Sequence, residues 1–160
     1  MVAPTMFKKT LLLISALVLT LQAGAAEPYD QFDLKGHAGK VVIVDFWASW
    51  CVPCRRSFPW LNTMHRKYAD QGLVIIGVNL DAEKSAAMTF LADFPPEFGI
   101  YYDETKDLAR SFGVVAMPSS YLIGRDGEIR QKHFGFKVKK QDEYESAIVA
   151  ALLDTLRITE

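Results

Sequence analysis

Cysteine is scarce in this 160-residue chain, with only Cys51 and Cys54 present. That excludes a disulfide-stapled miniprotein and a four-cysteine zinc site. Histidine is scarce too: His37, His65 and His133 stand far apart, without ligand spacing. Neither sign of charge dominates, with 18 Lys+Arg against 19 Asp+Glu, so a nucleic-acid-binding basic tail is excluded. Internal repeats and low-complexity tracts are absent. No apolar run reaches the ~18–20 residues of a spanning helix. What is present is ordinary globular composition, half apolar and 23% charged, in a length suited to one domain.

Residues 1–26 have a composition of their own. Lys8 and Lys9 form a short positive region, and Leu11 to Leu21 is apolar but for Ser15 and Thr20. Gln22-Ala23-Gly24-Ala25-Ala26 then supplies small residues at the −3 and −1 positions of a cleavage site. That order reads as a secretory signal peptide over residues 1–25, cut after Ala25 or one residue later after Ala26. Met6 is an alternative start. An uncleaved membrane anchor is the other reading, although the apolar run is too short to span. Cleavage removes two bases and no acid, leaving a mature net charge of −3 that favours no polyanion.

Val41-Val42-Ile43-Val44-Asp45-Phe46 is a β-branched run of the kind buried on both faces, broken by one carboxylate. A short strand is expected before it, near Phe32–Leu34. A helix is expected to open at Trp47–Cys54 and run to about Gln71. Its inner face would carry Phe58, Leu61, Met64 or His65, and Tyr68, with a kink at Pro59 and a stop at Gly72. Leu73 to Asn79 reads as a second buried strand, 85–92 as a short helix, Ile100–Tyr102 as a brief strand and 105–112 as another helix. Residues 119–123 and 128–134 flank the turn signal Gly124-Arg125-Asp126-Gly127, forming a hairpin. The tail from Gln141 to Leu156 places Tyr144, Ile148, Ala151, Leu152 and Thr155 on one helix face. The order predicts a mixed central sheet with helices on both faces.

The chemistry points to Cys51 and Cys54. Two cysteines three apart in the first turn of a helix share a face and allow a short disulfide. Backbone N–H groups and the positive dipole end favour a thiolate at the first. Pro53 suits a position where N–H groups lack partners. Cys51 is thus expected to attack and the more buried Cys54 to resolve. A plain stabilising disulfide is the bland alternative, but so short a loop restricts the unfolded chain little. Two thiolates without further ligands do not make a metal site.

Val44-Asp45-Phe46-Trp47-Ala48-Ser49-Trp50-Cys51-Val52-Pro53-Cys54 resembles the active-site segment of the thioredoxin superfamily. The longer pattern adds Arg55-Arg56-Ser57-Phe58-Pro59, Val78-Asn79, and Met117-Pro118 ahead of Tyr121-Leu122-Ile123-Gly124-Arg125-Asp126-Gly127. It is similar to the exported TlpA/ResA-like branch, over about residues 40–136. The resemblance implies an α/β thioredoxin-like domain over residues 26–160. It makes Pro118 the cis-proline facing the active-site pair, and Met117 a backbone partner for an extended substrate strand. It makes Asp45 a buried carboxylate of raised pKa that accepts the proton of Cys54; a strand-end carboxylate reaching solvent is the alternative. Trp50, Val52 and Pro53 join Met117 and Pro118 as substrate-binding residues. Trp47, and Phe134, Phe136 and Tyr121, are expected in core or hairpin packing. Ser57 stands where some members carry a glutamate, which leaves the acid–base role to Asp45. Ser119 stands where haem-maturation members carry another glutamate. The short N-terminal extension implies a reduced extra hairpin.

The expected function is that of an exported, periplasmic protein-disulfide reductase acting on client proteins. It would be monomeric, without cofactor or metal, and re-reduced by a membrane thiol electron donor that the family implies. Membrane contact is expected only if the signal segment is retained. Val52-Pro53 brings no charge that would make the pair a strong oxidant. Alternatives are a disulfide-forming oxidant, a thiol peroxidase (though Ala48 stands where its threonine belongs) and a non-catalytic binding module.

Overall fold

The two β-branched runs form the middle of the sheet, because strands buried on both faces must be apolar throughout. The computed structural model describes residues 28–29 and 31–154. The expected signal segment, its cleavage sites and Thr155 lie outside the described residues. The strands are β1 (Pro28–Tyr29), β2 (Val41–Trp47), β3 (Leu73–Asn79), β4 (Gly99–Tyr102), β5 (Ser119–Ile123) and β6 (Ile129–Phe134). The helices are α1 (Cys54–Tyr68), α2 (Lys84–Asp93), α3 (Asp107–Phe112) and α4 (Gln141–Leu153). The sheet is six-stranded, in the order β1-β4-β3-β2-β5-β6. β1, β4, β3 and β2 run parallel to one another, and β2–β5 and β5–β6 pair antiparallel. This is the expected mixed sheet.

Every residue of β2 is buried. Successive side chains of a strand point to opposite faces. Val41, Ile43 and Trp47 therefore meet one cluster, with Phe58, Leu61 and Met64 of α1, Ala87 and Phe90 of α2, and Ile148, Ala151 and Leu152 of α4. Val42, Val44 and Phe46 meet the other, with Ala109, Leu108 and Phe112 of α3. The Trp47 ring lies 4.9 Å from that of Phe58 and 4.8 Å from that of Phe90, locking α1 and α2 to the end of β2. Tyr68 and Lys67 both bond Glu145, tying α1 to α4. Gly72 ends the α1 region at φ 99°, a conformation that suits glycine.

Three details depart from the sequence reading, and one open alternative is settled. The first strand is Pro28–Tyr29, paired with β4, rather than Phe32–Leu34. Phe32 instead packs on the Tyr101 and Phe112 rings, 5.7 and 6.2 Å away. Helix α1 starts at Cys54, because β2 continues to Trp47 and the chain then turns twice, Cys51 N–H to Ala48 O and Cys54 N–H to Cys51 O. The inner face of α1 takes Met64, not His65, as its buried residue. Phe134 is 53% exposed on edge strand β6, whereas Tyr121 is buried and Phe136 packs on Trp60 and Tyr144.

Candidate active site

The site lies beyond the carboxyl ends of parallel strands β2 and β3, where open α/β sheets place their ligands. Trp47 and Asn79 are register partners at those ends. The loop that follows β2 carries Cys51, and the first residue of α1 is Cys54. The two form a disulfide, with Cα atoms 5.3 Å apart. Cys51 therefore sits before the helix rather than in its first turn, with Pro53 as N-cap in helical conformation. The Cys54 N–H donates to Cys51 Sγ at 3.3 Å. That N–H, shared with Cys51 O at 3.1 Å, is thus aimed from the helix start at the sulfur that needs negative charge. Both cysteines are buried, Cys54 completely.

Around the pair the surface is apolar. Trp50 and Val52 are 67% and 61% exposed, and Pro53 is half-buried. The Met117–Pro118 peptide is cis, and Pro118 is buried. Met117 packs against the cluster that holds both cysteines. Its backbone N–H and C=O have no hydrogen-bond partner among the described residues. Two polar groups thus stand ready for an extended peptide. Sequence reasoning missed Val115, 83% exposed two residues earlier in the same loop. It also passed over Arg55 and Arg56, both exposed in the first turn of α1, which holds no acid. Their charges add to the positive helix end beside Cys51.

Asp45 is fully buried in mid-strand, so the strand-end alternative is wrong. It shares the sheet face of Ile43 and Trp47, the face on which α1 packs. Burial pushes its carboxyl up to about 7, against the opposing effect of a hydrogen bond from Ser120. The Ser120 hydroxyl donates to Oδ1, while Oδ2 is buried without a partner. Ser120 was not singled out from the sequence. Its only signal is a second serine where β5 should be apolar. Ser57 is buried and gives its hydroxyl to Cys54 O at 3.1 Å, and Ser119 bonds Ala116 O at 2.5 Å. Neither replaces a glutamate's acid–base function.

A further network holds the loop that carries Cys51. Asp81 accepts the Ser49 N–H at 2.9 Å, the Ser49 hydroxyl at 2.8 Å and the Asn79 amide at 2.7 Å. Lys106 Nζ donates to Asp81 O and Asp103 O, both at 2.9 Å. The polar residues Asn79 and Asp81 at the end of a buried strand were the available signal.

The Redoxin family model matches residues 16–148. Thiol-disulfide oxidoreductase ResA of Geobacillus kaustophilus is 33% identical over 118 residues, covering 69% of this chain and 68% of the relative. ResA of Bacillus thuringiensis subsp. konkukian is 32% identical over 115 residues, covering 71% and 66%. The chain thus spans about two thirds of the length of these curated relatives. A Chlorobium tepidum crystal structure, described as that of a putative thiol:disulfide interchange protein DsbE, is 46% identical with TM-score 0.73. It covers 74% of this chain and 84% of that one.

Proposed function

The chain belongs to the Redoxin family, on the TlpA/ResA-like branch of the thioredoxin superfamily, and from that membership we propose that it is an exported thiol–disulfide oxidoreductase reducing client-protein disulfides in the periplasm. The observation that carries the reading is the Cys51–Cys54 disulfide at the start of α1, with Asp45 buried beneath the same helix face. In the reduced protein, the Cys51 thiolate attacks one sulfur of a client disulfide. A Cys51–client bond forms and the other client sulfur leaves as thiolate. Cys54 gives its proton to Asp45 and attacks Cys51 Sγ. The Cys51–Cys54 bond forms, and the client departs with two electrons gained.

An extended client segment would lie against the Met117 backbone, with its flanks on Trp50, Val52, Pro53 and Val115. Pro118, lacking an N–H, keeps that edge open to a visitor. A membrane thiol electron donor would restore the dithiol. Export rests on the charged, apolar and small-residue order of the first 26 residues; among the described residues no helix is long and apolar enough to cross a membrane. The test pairs two variants in a disulfide-reduction assay and a periplasmic extract. Cys51→Ser abolishes reduction, and Cys54→Ser accumulates mixed disulfides with clients. A Cys54→Ser protein that traps nothing contradicts the two-step reading.

A further inference from the structure

A polar row crosses the sheet face on which α1 packs. Asp45 on β2 stands opposite Ser120 on β5, and Ser120 stands opposite His133 on β6. The adjacent pair, Ile43 and Leu122, is apolar. The row runs from a sealed end to an open one. Asp45 has no exposed surface, whereas Ser120 and His133 are half-buried. Both line a cleft of about 30 Å³, walled by Trp60, Leu61, Phe136 and Tyr144. That is room for an ordered water, and the two residues supply polar partners for it.

The other side of Asp45 offers no exit. Its register partner on β3 is Gly77, which has no side chain. The space a Cβ would take there is already crowded by Ile100 at 2.8 Å, Phe98 at 3.1 Å and Trp47 Nε1 at 3.2 Å. A buried base that takes a proton in each turnover must also return it to water.

We infer that Ser120 and His133, with a water in the cleft, form the proton route between Asp45 and solvent. This rests on the reading of Asp45 as the base for Cys54. The Asp45 carboxylic O–H passes its proton to the Ser120 oxygen as the Ser120 O–H gives its own to the cleft water or to neutral His133. The imidazole or water then releases one proton to bulk, the carboxylate is restored, and no electron moves. Cross-strand partners have Cβ atoms only ~4.5–5.5 Å apart, so one water bridges them at most. His133 makes no side-chain hydrogen bond among the described residues; its ring packs tilted against that of Tyr144, 4.5 Å away. Burial lowers its pKa below 6.5, which keeps it neutral and able to accept; Glu143 opposes that shift and Lys140 reinforces it. On Asp45 itself, burial is opposed by Ser120. Both act through Asp45 and are positioning residues.

The direct readout is the carboxylic C=O infrared band of Asp45 in the oxidised full chain, identified by its loss in Asp45→Asn. Its relaxation after a pH jump gives the rate of proton exchange. Ser120→Ala slows that relaxation by roughly tenfold or more, the scale of a lost proton-transfer group, and Ser120→Thr restores it. His133→Gln slows it too, and added imidazole buffer recovers the rate. If the band titrates near neutral pH but its relaxation is unchanged in Ser120→Ala and His133→Gln, the route is wrong while Asp45 stands as base. The route is equally wrong if Ser120→Thr is as slow as Ser120→Ala and imidazole restores nothing. If no titrating band disappears in Asp45→Asn, the base reading fails and the route with it.

Discussion

Replacing Asp45 with asparagine should make the stability of the oxidised protein depend on pH in a new way. The native carboxyl titrates at about 7 instead of 3.8, because burial disfavours its charged form. The folded state therefore holds this proton more tightly than the unfolded chain does. Its contribution is fully present below about pH 3.8 and is lost as pH rises through about 7. At ~1.36 kcal/mol per pH unit, the cost of ionising Asp45 approaches roughly 4 kcal/mol above pH 7. Asparagine has the same shape and no such titration. Near pH 4 the variant should be equal to the parent or somewhat weaker, since an amide in the Oδ2 position has no partner while Ser120 donates to the other oxygen. By pH 8–9 it should be the more stable, and the difference should move by up to roughly 4 kcal/mol across that range. Urea unfolding followed by tryptophan fluorescence, with the disulfide kept closed, reads this directly. A difference between the two proteins that stays flat from pH 4 to 9 would refute the reasoning, because it would mean Asp45 ionises alike folded and unfolded.

Gly77→Ala should cost roughly 1–3 kcal/mol by overpacking, since its Cβ would meet Ile100 at 2.8 Å; thermal unfolding checks it. Asp81→Ala leaves the Ser49 N–H, the Ser49 hydroxyl and the Asn79 amide without their acceptor. It should lower stability by roughly 1–3 kcal/mol and speed amide exchange at Ser49. Reversing both first-turn cations, Arg55→Glu with Arg56→Glu, should reduce the thiolate fraction of Cys51 and slow its alkylation by iodoacetamide near neutral pH. The effect should shrink at high salt, because both side chains are exposed.

The parts of the molecule that were legible in the sequence are those whose signal is local. β2 and β3 are continuous β-branched runs, and the hairpin is marked by Gly124-Arg125-Asp126-Gly127, with Gly127 at φ 84°. Asp45 stood out as the one charge in an apolar run. The start of α1 was misplaced because no side chain caps it: Pro53 is the N-cap, and the preceding turns are made by backbone alone. β1 was missed because its two residues are held by a partner strand some 70 residues away, while Phe32 and Leu34 mimic a strand by spacing. Ser120 acquires meaning through a contact 75 residues distant, and Asp81 through its hold on Ser49, 32 residues away. Phe134 reads as packing until the sheet order places β6 at the edge.

The reduction potential of the Cys51–Cys54 pair tests the central claim most directly. Purified protein equilibrated against a defined thiol buffer should give a value near about −270 mV, that of a reducing pair. A value near about −120 mV would contradict the proposal, making the protein an oxidant that introduces disulfides by the same chemistry run in reverse.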